Sequence, residues 1–308
     1  MKVFVAGATG VLGRRAVGLL VKAGHQVSGV ARSPERHTLL RDLGATPVTV
    51  DVFDADAVAR AVAGHEVVCN LATHIPPTTR MAMPGAWAEN DRIRTDMCRH
   101  LVDGALAGGA HRYVQESIAF VYEDAGDAWI DESFPVDAVG NLRSASTAEA
   151  NAARFSQSGG TGVVLRFAAF YGPDSDSTLT MIRLARRRIA AGAGRRSYFS
   201  SIATDDAASA VLAALDAPGG IYNIGDNEPL RREEYFGALA DALGVRPPRI
   251  LPAGVAKLMG SKASVLVRSQ RLSNRRFVEA TGWKPEVPSA REGWARVVAA
   301  VPGTEPPT

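Results

Sequence analysis

A glycine-rich turn, GATGVLG at residues 7–13, is the feature that most constrains the fold of this chain. It follows the strand-like run KVFVA at 2–6 and opens a helical stretch at 11–24. In such a strand–turn–helix unit the first glycine permits a tight turn, the second lets a pyrophosphate approach the backbone, and the third lets the helix pack on the sheet. The N–H groups and dipole of the helix N-terminus attract phosphate. The sequence therefore predicts a dinucleotide site formed by Gly7, Thr9, Gly10, Val11, Leu12 and Gly13.

Strand-like and helical segments alternate over the first 170 residues. Strand-like runs at 2–6, 26–31, 46–50, 66–72, 112–117 and 162–167 are separated by helical stretches at 11–24, 34–43, 54–63, 86–108 and 143–156. Alternation at this spacing implies βαβ units, a parallel sheet, and right-handed crossovers that put helices on both faces. We predict an α/β fold: a Rossmann-type doubly wound parallel sheet with a smaller C-terminal substrate lobe.

The pattern loosens after residue 170, which suggests a second part of the molecule. Helices are predicted at 178–191, 205–216 and 231–244, and one more sheet strand at 220–225. We predict an NAD(P)-binding Rossmann domain at 1–170, completed by about 203–226. A substrate-binding lobe at 171–202 and 227–300 and a disordered tail at 301–308 complete the prediction. The cleft between the two parts, at the carboxyl ends of the strands, would hold nicotinamide and a small molecule.

The residue after the second predicted strand indicates which dinucleotide is bound. The run QVSGVA at 26–31 is followed by Arg32, nineteen residues after Gly13. An acidic residue here would accept hydrogen bonds from a ribose 2′-hydroxyl and favour NAD, whereas arginine pairs with a 2′-phosphate and favours NADP. Arg36 is placed to assist. We predict NADP, with NAD as the weaker choice; the alternative is that Arg32 is a solvated loop arginine.

Composition excludes several other classes of protein. The two cysteines, Cys69 and Cys98, lie in apolar or helical contexts and indicate neither a disulfide framework nor a metal site. The chain contains no apolar run long enough for a membrane span, and its first residues do not form a signal peptide. The formal charge is only +3, with acidic residues interleaved among the arginines, so no nucleic-acid partner is expected. A cytoplasmic location is predicted.

Further motifs follow the glycine turn in an order that resembles one known family. They are DV at 51–52, NLAT at 70–73, LRFAAFYGP at 165–173, ATDDAASAVLAAL at 203–215, IYNIGDNEPL at 221–230 and TGWKP at 281–285. Together with the GxxGxxG spacing they resemble the extended short-chain dehydrogenase/reductase family, of the NAD-dependent epimerase/dehydratase type. The resemblance covers nearly the whole chain and is specific to the fold rather than to one reaction.

The resemblance implies several more cofactor-binding residues. Asp51 and Val52 match the family's acidic residue near the adenine. The strand-end segment implied to lie beside the cofactor contains Leu71, Ala72 and Thr73. Arg166 and Phe167 match the segment that lines the nicotinamide end in the family.

The family's proton-transfer residues are missing from the matching positions. The family uses a serine or threonine and a Y-x-x-x-K motif, in which the lysine lowers the pKa of the tyrosine. Here Asn141 stands in the tyrosine position, Ala145 in the lysine position and Ile118 in the serine position. Ser117 fits only after a one-residue shift, and the chain has no lysine between residues 22 and 257.

Three functions therefore stay open. The first is an NADP-dependent oxidoreductase or epimerase that acts on a small molecule with a substitute proton donor, namely Ser117, Tyr122, His74 or water. The second is a non-redox isomerase, cyclase or lyase on the same fold. The third is an inactive NADP-sensing regulatory protein. The surviving substrate-domain motifs favour the first.

Each candidate donor also has a structural interpretation. His74 could be a loop histidine, Tyr122 a packing tyrosine with a satisfied hydroxyl, and Ser117 a strand-end serine bonded to nearby backbone. Glu116 could also act as the proton donor if it were buried, but we favour the interpretation that it is a carboxylate on the surface.

Two further surfaces are predicted. The helices at 86–108 and 143–156 match the family's dimer helices, and a small-residue face made of Ala145, Ala148, Ala152 and Phe155 would allow a homodimer or packing within one subunit. A basic cluster, which could face a substrate phosphate or be a solvated surface, contains Arg183, Arg186, Arg187, Arg188, Arg195 and Arg196. No metal site is expected.

Overall fold

Seven parallel strands form the central sheet. The computed structural model describes residues 1–76, 80–81, 83–254 and 267–302. The sheet strands are β1 (Lys2–Ala6), β2 (Gln26–Val30), β3 (Thr46–Val48), β4 (Val67–Asn70), β5 (Arg112–Ile118), β7 (Thr161–Phe167) and β12 (Gly220–Ile224). The strands lie in the order β12-β7-β5-β4-β1-β2-β3. This order reverses beside β1, which creates a crevice between the carboxyl ends of β1 and β4. The predicted Rossmann-type doubly wound fold is confirmed.

Helices connect the strands and continue to the end of the described chain. They are α1 (Val11–Lys22), α2 (Pro34–Asp42), α3 (Ala55–Val62), α4 (Ala88–Arg92), α5 (Cys98–Ala107), α6 (Arg143–Gln157), α7 (Asp176–Arg186), α8 (Thr204–Ala213), α9 (Arg232–Ala242), α10 (Arg275–Thr281) and α11 (Ala290–Ala300). Ser33 and Asp54 begin α2 and α3 as N-caps, because their side chains accept backbone N–H bonds from Arg36 and Ala57.

Short strands form two-stranded pairs outside the sheet. β10 (Tyr198–Phe199) pairs antiparallel with β13 (Leu230–Arg231). Three further pairs are parallel: β8 (Ala169–Tyr171) with β11 (Ser201–Ala203), β9 (Ile189–Ala193) with β14 (Arg249–Leu251), and β6 (Trp129–Ile130) with β15 (Arg271–Leu272).

Alternate residues of the strands feed two separate apolar cores. In β1, Val3 and Val5 pack into one core, whereas Phe4 and Ala6 pack into the other. Side chains of a strand point alternately to opposite faces, so both faces of this sheet are covered by helices. A third apolar cluster includes Ile182, Tyr235 and Trp294 and lies among residues that follow the Rossmann strands.

The structure differs from the sequence prediction at two helices. The stretch predicted as one helix at 86–108 is α4, a π-helical turn at Ile93–Met97, and α5. The helix predicted at 178–191 ends at Arg186, because Arg188 has a left-handed backbone (φ 60°) and β9 begins immediately after it. Residues 303–308 of the predicted tail lie outside the described residues.

The small-residue face of α6 packs inside its own chain. Ala145, Ala148, Ala152 and Phe155 are buried to within 1% of complete burial. They pack within two apolar clusters of their own chain, so this face is not available to a second subunit. Cys69 and Cys98 are buried free thiols. Within the described ranges, none of the helices has the length and apolar character needed to cross a membrane.

Candidate cofactor and active site

The glycine turn packs directly on the chain that leaves β4. Gly7 has a positive φ of 77°, and a Cβ placed on it would lie 2.6 Å from the backbone of Leu71 and Ala72. A Cβ on Gly13 would lie 2.0 Å from the Gly7 carbonyl oxygen. Both glycines are therefore required by the packing of the turn, and the structure brings the predicted residues Leu71 and Ala72 beside it.

Gly10 is different, because packing does not require it. It is exposed and caps the N-terminus of α1 without a side-chain hydrogen bond. A Cβ on Gly10 would come no closer than 3.4 Å to the Gly7 oxygen. The bare N-terminus of a helix binds phosphate groups through its N–H groups and dipole. This cradle fits a pyrophosphate, and Thr9 and Val11 beside it are half-buried.

A basic pocket lies at the end of β2. A cavity of about 320 Å³ is lined by Arg32, Ser33, Pro34, His37, Thr38, Arg41 and Thr49, with no acidic residue among them. Arg32, which lines this pocket, and Arg36 in the first turn of α2 are both exposed. Asp51 is also exposed, and its carboxylate accepts the N–H of Phe53 at 2.9 Å, which fixes the loop that carries Val52.

Two of the predicted donors lie in a buried network around Arg166. Its Nε and Nη2 donate to Glu149 at 2.8 and 2.6 Å, and the Ser117 hydroxyl donates to the same carboxylate at 2.6 Å. The Arg166 guanidinium lies over the Tyr122 ring at 4.8 Å, and the Tyr122 hydroxyl donates to Asn223 Oδ1 at 2.8 Å. Burial raises the pKa of Tyr122 to about 12. Both donor hydroxyls are thus engaged inside the protein.

An apolar cluster occupies the place of the family's proton-transfer residues. Val121, Leu142 and Ala145 form it, and the half-buried Ile118 packs against it. Asn141 lies in the adjoining turn Gly140–Leu142. The structure thus brings together the positions that the sequence alignment matched to serine, tyrosine and lysine, and the side chains at the serine and lysine positions cannot transfer a proton.

His74 is the exposed member of the predicted donors. Its side chain is 47% exposed, and its Nε2 lies 3.5 Å from Glu89 Oε2. Its backbone N–H donates to Asn90 Oδ1 at 3.1 Å, which joins the chain after β4 to α4. Thr73, the residue before it, is also exposed, whereas Phe167 is buried in the core.

A buried ion pair behind the site was not predicted from the sequence. Arg94 Nη2 donates to both carboxylate oxygens of Glu116 at 3.1 Å, and both side chains are nearly inaccessible. Burial raises the pKa of Glu116, while Arg94 acts in the opposite direction. The interpretation of Glu116 as a surface carboxylate is therefore wrong, because Arg94 from the π-helical turn reaches it across the sheet face.

Two arginines of the predicted basic cluster have partners within the chain. Arg183 bonds within α7, to the carbonyl of Leu179 and to Thr180. Arg195 pairs with Glu233 at 2.9 Å on the surface near α9. Across the described ranges, no group of three or more His, Cys, Asp or Glu side chains is arranged to hold a metal ion.

Comparison with known proteins agrees with this geometry. A family model described as NAD(P)H-binding matches residues 7–218. The chain is 35% identical to 3-diazoavenalumate denitrifying reductase of a Streptomyces species, over 96% of this chain and 100% of that protein. It is 26% identical to ceramide reductase of Caulobacter vibrioides, over 94% of this chain and 88% of that protein.

A solved structure shares the fold over nearly the full length. A human epimerase family protein with NADPH superposes with a TM-score of 0.80 at 22% identity, covering 96% of this chain and 99% of that chain.

Proposed function

Because the chain belongs to the NAD(P)H-binding family, within the extended short-chain dehydrogenase/reductases, we propose that it is an NADPH-dependent reductase of a small molecule. In this proposal residues 1–170, completed by about 203–226, form the cofactor domain, and 171–202 with 227–300 form the substrate lobe. The observation that carries the proposal is an open glycine turn at the N-terminus of α1, together with an apolar cluster at the positions matched to the proton-transfer residues.

The proposed cofactor site uses the residues around the crevice beside β1. The open N-terminus of α1 at Gly10 would hold the pyrophosphate. Arg32, with Arg36, would bind the 2′-phosphate of NADP, since its pocket carries only neutral and basic side chains. The loop at Asp51 and Val52 would lie near the adenine, and the chain from Leu71 to Thr73 would line the nicotinamide side. NADPH, when bound, supplies a hydride.

The apolar cluster limits which groups this site would reduce. A carbonyl needs a proton on its oxygen as well as a hydride, so reductases place a proton donor there. An arenediazonium group is already cationic. Taking up hydride and releasing N2 converts it to the arene with atoms and charge balanced, and no proton comes from the protein. The Streptomyces relative, whose name says that it reduces a diazo compound with loss of nitrogen, supports this substrate class.

Carbonyl reduction is the second candidate. The Caulobacter relative is named a ceramide reductase. For this reaction we propose His74 as donor ahead of Ser117 and Tyr122, because its ring is exposed and its Nε2 lies 3.5 Å from Glu89 Oε2. The hydroxyls of Ser117 and Tyr122 already donate to Glu149 and Asn223. A homodimer and a cytoplasmic location also stay predictions.

Turnover of two probes separates these functions. The full chain is incubated with NADPH deuterated at the transferred position and either 4-carboxybenzenediazonium or cinnamaldehyde. We expect benzoate with one deuterium at the carbon that lost N2, at a rate well above that of a sample without protein. Deuterated cinnamyl alcohol, lost on His74→Gln, would instead establish carbonyl reduction. Tight NADPH binding without turnover of either probe would favour the sensor.

A further inference from the structure

Arg41 is a second arginine of the basic pocket at the end of β2. It lies in the last turn of α2 and lines the same cavity of about 320 Å³ as Arg32. The residues of α2 that line this cavity recur at intervals of three and four: Pro34, His37, Thr38 and Arg41. Residues at these intervals share one face of a helix, so this face of α2 forms a wall of the cavity. Arg36 does not line the cavity and would approach a phosphate from outside it.

A ligand can reach this cavity from solvent. Four of the residues that line it are exposed, namely Arg32, Thr38, Arg41 and Thr49. The Cα–Cβ bonds of a helix tilt toward its N-terminus, so Arg41 extends from the last turn of α2 toward the end where Arg32 precedes the helix. Because both arginines line one small cavity, an anion inside it lies within reach of both guanidinium groups.

Both arginines are free to bind a ligand. In the part of the chain that the structure describes, neither Arg32 nor Arg41 has a side-chain hydrogen bond or an ion pair. Glu35 and Asp42, the acidic residues of α2, do not line the cavity. Several exposed arginines elsewhere pair with carboxylates: Arg154 with Asp103, Arg275 with Glu279 and Arg291 with Glu228. Two unpaired guanidinium groups at one cavity without acidic side chains form a site for an anion.

Hydrogen bonds hold the wall that carries Arg41 in place. The Nε2 of His37 donates to the Ala31 carbonyl oxygen at 3.2 Å and lies 3.0 Å from Thr49 Oγ1. The N–H of Ala31 donates to the Val48 carbonyl oxygen at 3.0 Å. These bonds join the face of α2 to the ends of β2 and β3. Little ordering of the wall is therefore needed when a ligand binds.

We propose that Arg41 is a specificity-determining residue for NADP, which binds the 2′-phosphate together with Arg32. This rests on the proposed function and adds a residue to its cofactor site. Guanidinium groups form charge-assisted hydrogen bonds with phosphate, whose several oxygens allow two arginines to bind at once. The ribose hydroxyl of NAD carries no charge, so Arg41 contributes to the affinity for NADP and not to that for NAD.

Calorimetric titration of the full chain with NADPH and with NADH tests the assignment. Arg41→Met keeps the side-chain stem and should weaken NADPH binding about tenfold while leaving NADH binding unchanged. Arg60→Met is the matched control, because Arg60 is an exposed arginine in the last turn of α3 that does not line the cavity. It should leave both affinities unchanged. Adenosine 2′-monophosphate, compared with the 5′-monophosphate, should show the same loss in R41M without the nicotinamide.

Each alternative result counts for or against the assignment. NADPH and NADH affinities that fall alike in R41M, or that both stay at wild-type values, overturn it. Inorganic phosphate bound as tightly as adenosine 2′-monophosphate also overturns it, since the cavity would then hold a free anion. Because Arg41 is exposed, R41M should fold, and Arg41→Gln replaces it if it does not.

Turnover of the deuterated NADPH probes tests the reductase proposal separately. A selective loss of NADPH affinity in R41M without any turnover supports the role of Arg41 and counts against the reductase. Turnover together with an unchanged NADPH preference in R41M supports the reductase and overturns the role of Arg41.

Discussion

Gly10 and Gly13 lie three residues apart in the same turn, yet their surroundings in the structure differ. A Cβ on Gly13 would meet the Gly7 oxygen at 2.0 Å, so the helix could not approach the sheet. A Cβ on Gly10 would meet nothing closer than 3.4 Å. The first is a requirement of packing, and the second leaves the turn open for a phosphate to approach the backbone.

Alanine substitutions should separate these two roles. Gly13→Ala is expected to lower the free energy of unfolding by about 1–3 kcal/mol, because the methyl group overlaps backbone atoms. Gly10→Ala should cost about 0.5–1 kcal/mol as a poorer N-cap. G10A should nevertheless bind NADPH about tenfold or more weakly, because its methyl group fills the phosphate cradle. Urea unfolding and calorimetry measure the two effects. Wild-type NADPH affinity in G10A would contradict the cradle.

Arg32 should determine the choice between the two dinucleotides. It is exposed beside a pocket without acidic residues. The wild type is expected to bind NADPH at least about tenfold tighter than NADH, and Arg32→Ala should remove that difference by weakening NADPH alone. Arg60→Ala, an exposed arginine on α3, is the control. Equal affinity of the wild type for both dinucleotides, or an equal loss of both in R32A, argues against the assignment.

At the scale of single elements, one buried carboxylate of α6 bonds two strands of the sheet. Glu149 accepts hydrogen bonds from Ser117 on β5 and from Arg166 on β7. One side chain therefore joins a helix to two adjacent strands. A second ion pair on the same helix, Arg154 to Asp103 on α5, is about half exposed and contributes far less.

Neutralising these two pairs should give unequal results. Glu149→Gln leaves Arg166 buried without its counter-charge and is expected to lower the free energy of unfolding by about 3–5 kcal/mol. Arg154→Gln should change it by less than about 1 kcal/mol. Urea denaturation at neutral pH measures both. If the two variants fell within about 0.5 kcal/mol of each other, the buried pair would not be the main attachment of α6.

The positions of the elements follow largely from local sequence pattern, whereas the ion pairs do not. KVFVA at 2–6 and GVVLRF at 162–167 predict β1 and β7 almost to the residue, because apolar runs bounded by turn residues are local signals. The π-helical turn and the early end of α7 were missed. A π-helical turn leaves the helical period of the sequence nearly unchanged, so the sequence pattern does not reveal it. The early end of α7 depends on the left-handed backbone of Arg188, which is not a local sequence signal.

The site was predictable where it depends on the backbone and not where it depends on distant side chains. The glycine turn and its neighbours Leu71 and Ala72 could be placed because strand ends of one sheet edge must meet. Glu116 and Arg94 are 22 residues apart in the sequence. The local sequence around either residue does not indicate that the two form an ion pair.

On the scale of the whole molecule, the crevice beside β1 is formed by the ends of strands that lie at the centre of the sheet. β4 pairs with β1 on one side and β5 on the other, and Cys69 of β4 lies opposite Val5 and Val114. Opening the molecule enough to expose Cys69 would separate the strands whose ends form the crevice. We therefore expect cofactor binding to stabilise the central sheet.

Labelling of Cys69 should report this linkage. Burial raises the pKa of Cys69 to about 12, so at neutral pH it is a protonated, inaccessible thiol and should react only after the sheet opens. In Cys98→Ser, the remaining thiol should react with a disulfide reagent at once in urea and very slowly in buffer. NADPH at about 100 times its Kd should slow the reaction in buffer by about 100-fold, because binding lowers the population of the open state by that factor. NADH at the same concentration is the control and should protect less. Rapid labelling of the native protein, or equal rates with and without NADPH, would show that the crevice and the central sheet open independently.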